Sequence, residues 1–183
     1  MTARWQTVLE QLVDERYARL LARATLVAAS AADAEDLVQD ALVATFASRA
    51  RFTHVAQAEQ YVRRAIVTRS VDRARSAASE RRAVERSAAQ PVPVVEIELP
   101  GLQRDVVAAL ADLTPRQRAC VVLRHVEDLS VAETAALLGL GEGTVKRYTA
   151  DATAALQRRL DVAPPEDDRE QVALLTRQET TRD

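Results

Sequence analysis

Apolar positions return every three or four residues through most of the chain, and that period predicts a succession of amphipathic helices. From Trp5 to Leu26 the apolar set Trp5, Val8, Leu9, Leu12, Val13, Tyr17, Leu20 and Leu21 lies along one side of a helix. Asp33 is placed to cap a second helix, running to about Ser48, with Leu37, Val38, Ala41, Leu42 and Phe46 inward and Asp36, Gln39 and Asp40 outward. A third and longer helix is expected over about Ala56 to Arg86. Between Ser87 and Gly101 the period fails. Pro91, Pro93 and Pro100 exclude a helix there, leaving an extended linker made acidic by Glu96 and Glu98. Helical spacing resumes from Leu102 to Leu113. Thr114 then starts a new helix as N-cap, with Pro115 at its first position and Gln117 closing a capping box, and that helix ends near Val126.

The stretch from Leu129 to Leu160 reads as two helices about a tight turn. Ser130 and Glu133 form a second capping box, and Gly139 ends the helix that they open. Gly141 is an acceptable N-cap for the next helix, where Glu142 favours the positive end. Small Ala135, turn-forming Gly139 and apolar Val145 have the spacing of a helix-turn-helix. On the last helix Val145, Thr149, Ala152 and Leu156 share the inner side, leaving Thr144, Lys146, Arg147 and Asp151 outward at the end that enters a major groove. The plainer alternative is a helical hairpin whose charges are merely solvated.

Composition narrows these options. The 183 residues are 48% hydrophobic but only 3% aromatic, rich in Ala, Val and Leu, which favours an all-α protein over one built on a sheet. A net charge of −2 excludes a uniformly basic coat, so nucleic-acid contact would rest on local clusters. One cysteine, Cys120 in an apolar setting, rules out an internal disulfide and reads as core. His54 and His125 lack companion ligands, so no metal site and no cofactor is expected. No phosphate loop follows the glycines near Gly141, and no nucleophile motif or carboxylate pocket appears, so no enzyme is expected. Without a membrane-length apolar run or signal segment, the expected location is the cytoplasm.

The third helix concentrates basic charge: Arg63, Arg64, Arg69, Arg73, Arg75, Arg81, Arg82 and Arg86 against Asp72, Glu80 and Glu85. Tyr61, Arg64, Thr68, Asp72 and Arg75 share one face, an aromatic ring followed by hydrogen-bonding groups, which suits an unstacked base and its backbone. The competing reading packs Tyr61 in the core and leaves the arginines to water.

Three segments in this order, DAEDLVQDALVATF (Asp33 to Phe46), YVRRAIVTRSVDRAR (Tyr61 to Arg75) and LTPRQRACVVLRHVEDLSVAETAALLGLGEGTVK (Leu113 to Lys146), resemble the extracytoplasmic-function sigma factors of bacterial RNA polymerase. The resemblance implies two small helical domains, residues 1–88 for polymerase docking and the minus-ten element and residues 104–162 for the minus-thirty-five element. Residues 89–103 would be the linker, threaded through the polymerase, and residues 163–183 a polar tail, disordered or a frayed helix after Pro164 and Pro165. It implies that Asp36, Leu37, Gln39, Asp40 and Phe46 dock on the clamp helices of core polymerase. Tyr61, Arg64, Thr68, Arg69, Asp72, Arg73 and Arg75 would open and read minus-ten DNA. Arg116, Arg118 and Arg124 would meet the polymerase flap and DNA backbone, with Glu142, Gly143, Thr144, Lys146, Arg147 and Tyr148 at the minus-thirty-five duplex. Core polymerase, promoter DNA and an anti-sigma protein are the implied partners.

The chain departs from the family pattern with Tyr61 where Trp is common and Thr68 where Asn is common. Asp151, one turn beyond Arg147, is expected to pair with it and weaken the minus-thirty-five contact. Two other functions compete: a free-standing helix-turn-helix regulator that dimerises on operator DNA, and a sigma-like protein that has lost DNA recognition and binds protein only.

Overall fold

The computed structural model describes residues 4–47, 52–84 and 104–160, all of whose regular structure is helical. In chain order these are α1 (Arg4–Thr25), α2 (Ala31–Ala47), α3 (Val55–Val84), α4 (Arg104–Ala111), α5 (Pro115–His125), α6 (Val131–Leu138) and α7 (Glu142–Leu160). The expected acidic linker and polar tail lie outside the described residues.

The apolar stripes meet as the helical period requires. Leu12, Leu20, Leu37, Val38, Val62, Ile66 and Val67 interlock where α1, α2 and α3 pack together. Phe52, just before α3, closes that core from above, its ring 5.5 Å from Phe46. The start of α2 differs from expectation. Ser30 accepts the Asp33 backbone N–H at 3.1 Å and so takes the capping position, while the Asp33 carboxylate accepts from Ala29 N–H at 2.8 Å, one residue ahead of the cap.

In the second half α5 and α7 form the main pair, with α4 on α7 and α6 across both. Both predicted capping boxes are present, at Thr114 with Gln117 and at Ser130 with Glu133. Gly139 ends α6 in the left-handed region at φ 61°, and Gly141 supplies the carbonyl that accepts from Thr144 and Val145 at 2.9 and 3.1 Å. Cys120, Ala135 and Val145 make a small core of their own beneath the turn. Burial pushes the Cys120 thiol up to about 11, so it stays a neutral apolar filler.

The two halves are not separate bodies. Helix α5 packs along α3, and one apolar cluster runs from Leu26, Val62 and Ile66 into Leu113, Val122 and Leu123. Among the described residues no helix is long and apolar enough to cross a membrane, and no group of three or more His, Cys, Asp or Glu could hold a metal ion.

Candidate nucleic-acid interface

On α2, Asp36 and Gln39 are exposed beside Val43, which leaves 69% of its surface open. Leu37 is fully buried. It sets the outward face from behind and does not take part in it, because the inner side of α2 is committed to the core. Phe46 is half-buried against Phe52.

Asp40 meets an arginine from α3. The Arg73 guanidinium donates to Asp33 at 2.8 Å and to Asp40 at 2.5 Å, bridging the first turn and the middle of α2. Burial opposes its charge, but the bonds and attraction of Asp40 and Asp33 outweigh that and raise its pKa. Beside the bridge lies an open groove of about 590 Å³, lined by Asp40, Thr68, Arg69, Asp72 and Arg73. The family resemblance implies Arg73 on DNA and Asp40 on polymerase; the fold places them on each other.

Along α3 the aromatic is on the outside. Tyr61 is 52% exposed, held edge-on to Phe52 at 5.3 Å between centroids. This geometry fixes the ring by one edge and leaves area for stacking, so the alternative with Tyr61 buried is set aside. The Thr68 hydroxyl donates back into its own helix, to the carbonyls of Ala65 and Arg64 at 3.0 and 3.3 Å. Asp72 and Arg75 are exposed, Arg69 half-buried. Arg64 points elsewhere. It lines a polar cleft of about 360 Å³ between the halves, opposite Glu127, Asp128 and Glu133.

The turn motif presents its second helix outward. Glu142, Gly143, Lys146 and Arg147 are exposed at the start of α7, with Thr144 and Tyr148 half-buried beside them. Arg147 lies over the Tyr148 ring, 5.4 Å from its centroid. It makes no ion pair with the exposed Asp151 within the described structure, so the expected Arg147 to Asp151 pair does not form here. The neighbouring ring offers a closer resting place for the guanidinium.

Of the three arginines on α5, only Arg116 is exposed. Arg118 donates to the carbonyls of Ala28 at 3.1 Å and Val27 at 3.4 Å, beyond the end of α1, and to those of Ala111 and Leu113 at 2.8 and 3.2 Å. Burial lowers its pKa. In this arrangement it is a clasp between the halves. Arg124 donates to the Leu129 carbonyl and so braces the turn before α6.

One functional group escapes the sequence reading altogether. The Glu127 side chain, 6% exposed, lies 3.0 Å from Arg63 and 3.6 Å from Arg23. Burial raises its pKa, and Arg63 and Arg23 offset only part of that cost. Arg63 and Glu127 are 64 positions apart, so no local pattern connects them.

The family model for sigma-70 region 4 matches residues 102–156, the span from α4 through most of α7. The chain is 33% identical over 156 residues to an RNA polymerase sigma-E factor of Streptomyces avermitilis, covering 83% of this chain and 84% of that protein. It is 31% identical over 159 residues to the ECF RNA polymerase sigma factor SigM of Mycobacterium tuberculosis, covering 82% of this chain and 76% of that one. Its fold is similar to that of the sigma factor RpoE of Bartonella quintana, solved with the anti-sigma factor NepR. The TM-score is 0.58 at 22% identity, over 87% of this chain and 95% of that one.

Proposed function

Because the chain belongs to the extracytoplasmic-function sigma factors of bacterial RNA polymerase, we infer that its two helical halves divide the recognition of one promoter. The protein binds core polymerase and directs it to start sites. The observation that carries this reading is the pairing of two reading surfaces in one chain. The start of α7 is exposed with Glu142, Lys146 and Arg147, and α3 carries exposed Tyr61 together with a groove lined by Arg69, Arg73, Asp40 and Asp72.

In this division α2 docks on the clamp helices through Asp36, Gln39 and the apolar Val43, while Leu37 holds the helix in place from the core. Tyr61 stacks an unpaired base of the minus-ten non-template strand, and Arg69 and Arg75 hold its backbone. Binding energy spent on the extruded base opens the duplex, so no group needs to make or break a covalent bond, and the protein works as a regulator and not as an enzyme. Thr68, whose hydroxyl is turned inward on its helix, offers a base its methyl group. Lys146 and Arg147 read base edges of the minus-thirty-five duplex in the major groove, Glu142 accepts from a cytosine amino group, and Arg116 contacts phosphate. The linker, residues 89–103, spans the polymerase with its carboxylates, and the site of action is the cytoplasm.

A free-standing regulator would need a ligand pocket or dimer face in the first domain, and similarity to a sigma factor over 83% of the chain leaves no reason to prefer it. Transcription of genomic DNA by core polymerase with and without this protein, followed by sequencing of the transcript ends, tests the function. New starts sharing two upstream elements are expected. Starts identical with and without the protein would refute it.

A further inference from the structure

Arg147 and Tyr148 are neighbours in sequence and leave a helix about 100° apart, a spacing that does not by itself bring two side chains together. Here the Arg147 guanidinium nevertheless stands over the Tyr148 ring, 5.4 Å from its centroid. The ring is anchored. Tyr148 is half-buried and packs, as Leu138 and Leu140 do, against the small core of Cys120, Ala135 and Val145 beneath the turn. Arg147 itself is exposed.

Side chains on a helix lean toward its N-terminus, so the surface in front of Arg147 is that of the residue one turn earlier, Gly143. A Cβ built at Gly143 would meet nothing within 4 Å, so that surface is bare backbone facing open space. Two independent features therefore meet at the start of α7. One is an arginine steadied by a fixed ring, and the other is a stretch of helix with no side chain to keep a base edge away.

A long side chain gives up rotamer freedom when it binds, and one already seated on an aromatic face has less to give up. In a major groove the planar fork of arginine fits the O6 and N7 atoms of guanine with two parallel bonds. Lys146, also exposed, offers a point charge on a flexible stem and has no such geometric demand.

We propose that Tyr148 is a positioning residue whose ring holds the Arg147 fork for one guanine of the minus-thirty-five duplex, so that these two side chains together set the base preference at one position. The ring touches no base and acts through the arginine. The proposal rests on the reading of α7 as the helix that enters that duplex.

The test uses holoenzyme reconstituted from core polymerase and the full-length protein, on a promoter mapped with the wild type. Each base pair of the minus-thirty-five element is replaced in turn, and the loss of initiation is measured at one fixed salt concentration. For the wild type, replacement of one G·C pair is expected to lower initiation about tenfold. Arg147→Lys keeps the charge without the fork and is expected to reduce that factor to about twofold. Tyr148→Leu keeps an apolar contact with the core beneath and removes the aromatic face. It is expected to reduce the factor at the same pair to about threefold while the other pairs keep theirs, and Tyr148→Phe to restore about tenfold. Fluorinated phenylalanines at position 148 preserve the shape of the ring while draining negative charge from its face, and serve if Tyr148→Leu does not fold. With them the factor is expected to fall as fluorines are added. A ring that only fills the core would, when altered, lower initiation on all templates alike and leave the factor at the G·C pair intact, which overturns the proposal. A factor that rises when the ring is removed, an Arg147→Lys protein with unchanged preference, or a wild type sensitive only at A·T pairs overturns it equally. A wild-type holoenzyme that initiates but is indifferent to every pair of the element overturns the reading of α7 instead, and one that does not initiate overturns the sigma-factor reading.

Discussion

Arg118 donates to four main-chain carbonyls from both sides of the junction between the halves, and its removal would leave those acceptors without their donor. Arg118→Ala is expected to cost about 1–3 kcal/mol of stability, read as a fall in melting temperature. Loss of minus-thirty-five duplex affinity with unchanged stability would return Arg118 to the DNA. Glu127 makes a pH prediction of definite sign. Its pKa in the packed form is raised, so its contribution to closure is fully present below the ordinary glutamate range and is lost as pH rises through the raised value. The Stokes radius is expected to grow as pH rises through the window just above that range, and Glu127→Gln to remove the part due to this carboxyl. These side chains were the least legible in the sequence. The family resemblance implies a phosphate contact for Arg118, whereas one of its four acceptors, the Ala28 carbonyl, is 90 positions away.

The helices were far more legible, because caps and turns depend on neighbours in sequence. Thr114 with Gln117 and Ser130 with Glu133 pair across three residues, and both boxes form as the spacing predicts. The start of α2 lies at Ser30 for the same local reason, since the serine hydroxyl accepts the backbone N–H three residues on. A side chain at Gly139 would meet open space, but the φ of 61° there means that substitution is opposed by the backbone alone. Gly139→Ala is expected to destabilise the second domain by about 1 kcal/mol, measured by thermal unfolding. On α7, Asp151 is exposed one turn beyond Arg147, which rests over the Tyr148 ring, so on a duplex held at this helix it would repel phosphate. Asp151→Arg is expected to tighten binding to a minus-thirty-five duplex by about threefold in a salt-controlled titration. Unchanged affinity would place Asp151 away from the DNA.

Fold class followed from the helical period and the scarcity of aromatic residues, and the helix-turn-helix from three small or apolar residues at fixed spacing. How the halves sit together did not. Helices α3 and α5 pack together, and the apolar cluster that they share includes Ile66 and Val122, residues that any amphipathic helix would present to its own core. The bridge from Arg73 to Asp33 and Asp40 is equally hidden, joining positions 40 and 33 residues apart. It ties α2, proposed to dock on polymerase, to α3, proposed to read the opened strand. Arg73→Ala is therefore expected to weaken promoter opening more than polymerase binding, followed by fluorescence of a base in the minus-ten element. Equal loss of both would make the bridge purely structural. The most direct test of the whole reading is a titration of the purified full-length chain with core RNA polymerase. A stoichiometric complex that then initiates at promoters the core alone ignores is the expected result, and the absence of any measurable association would contradict it.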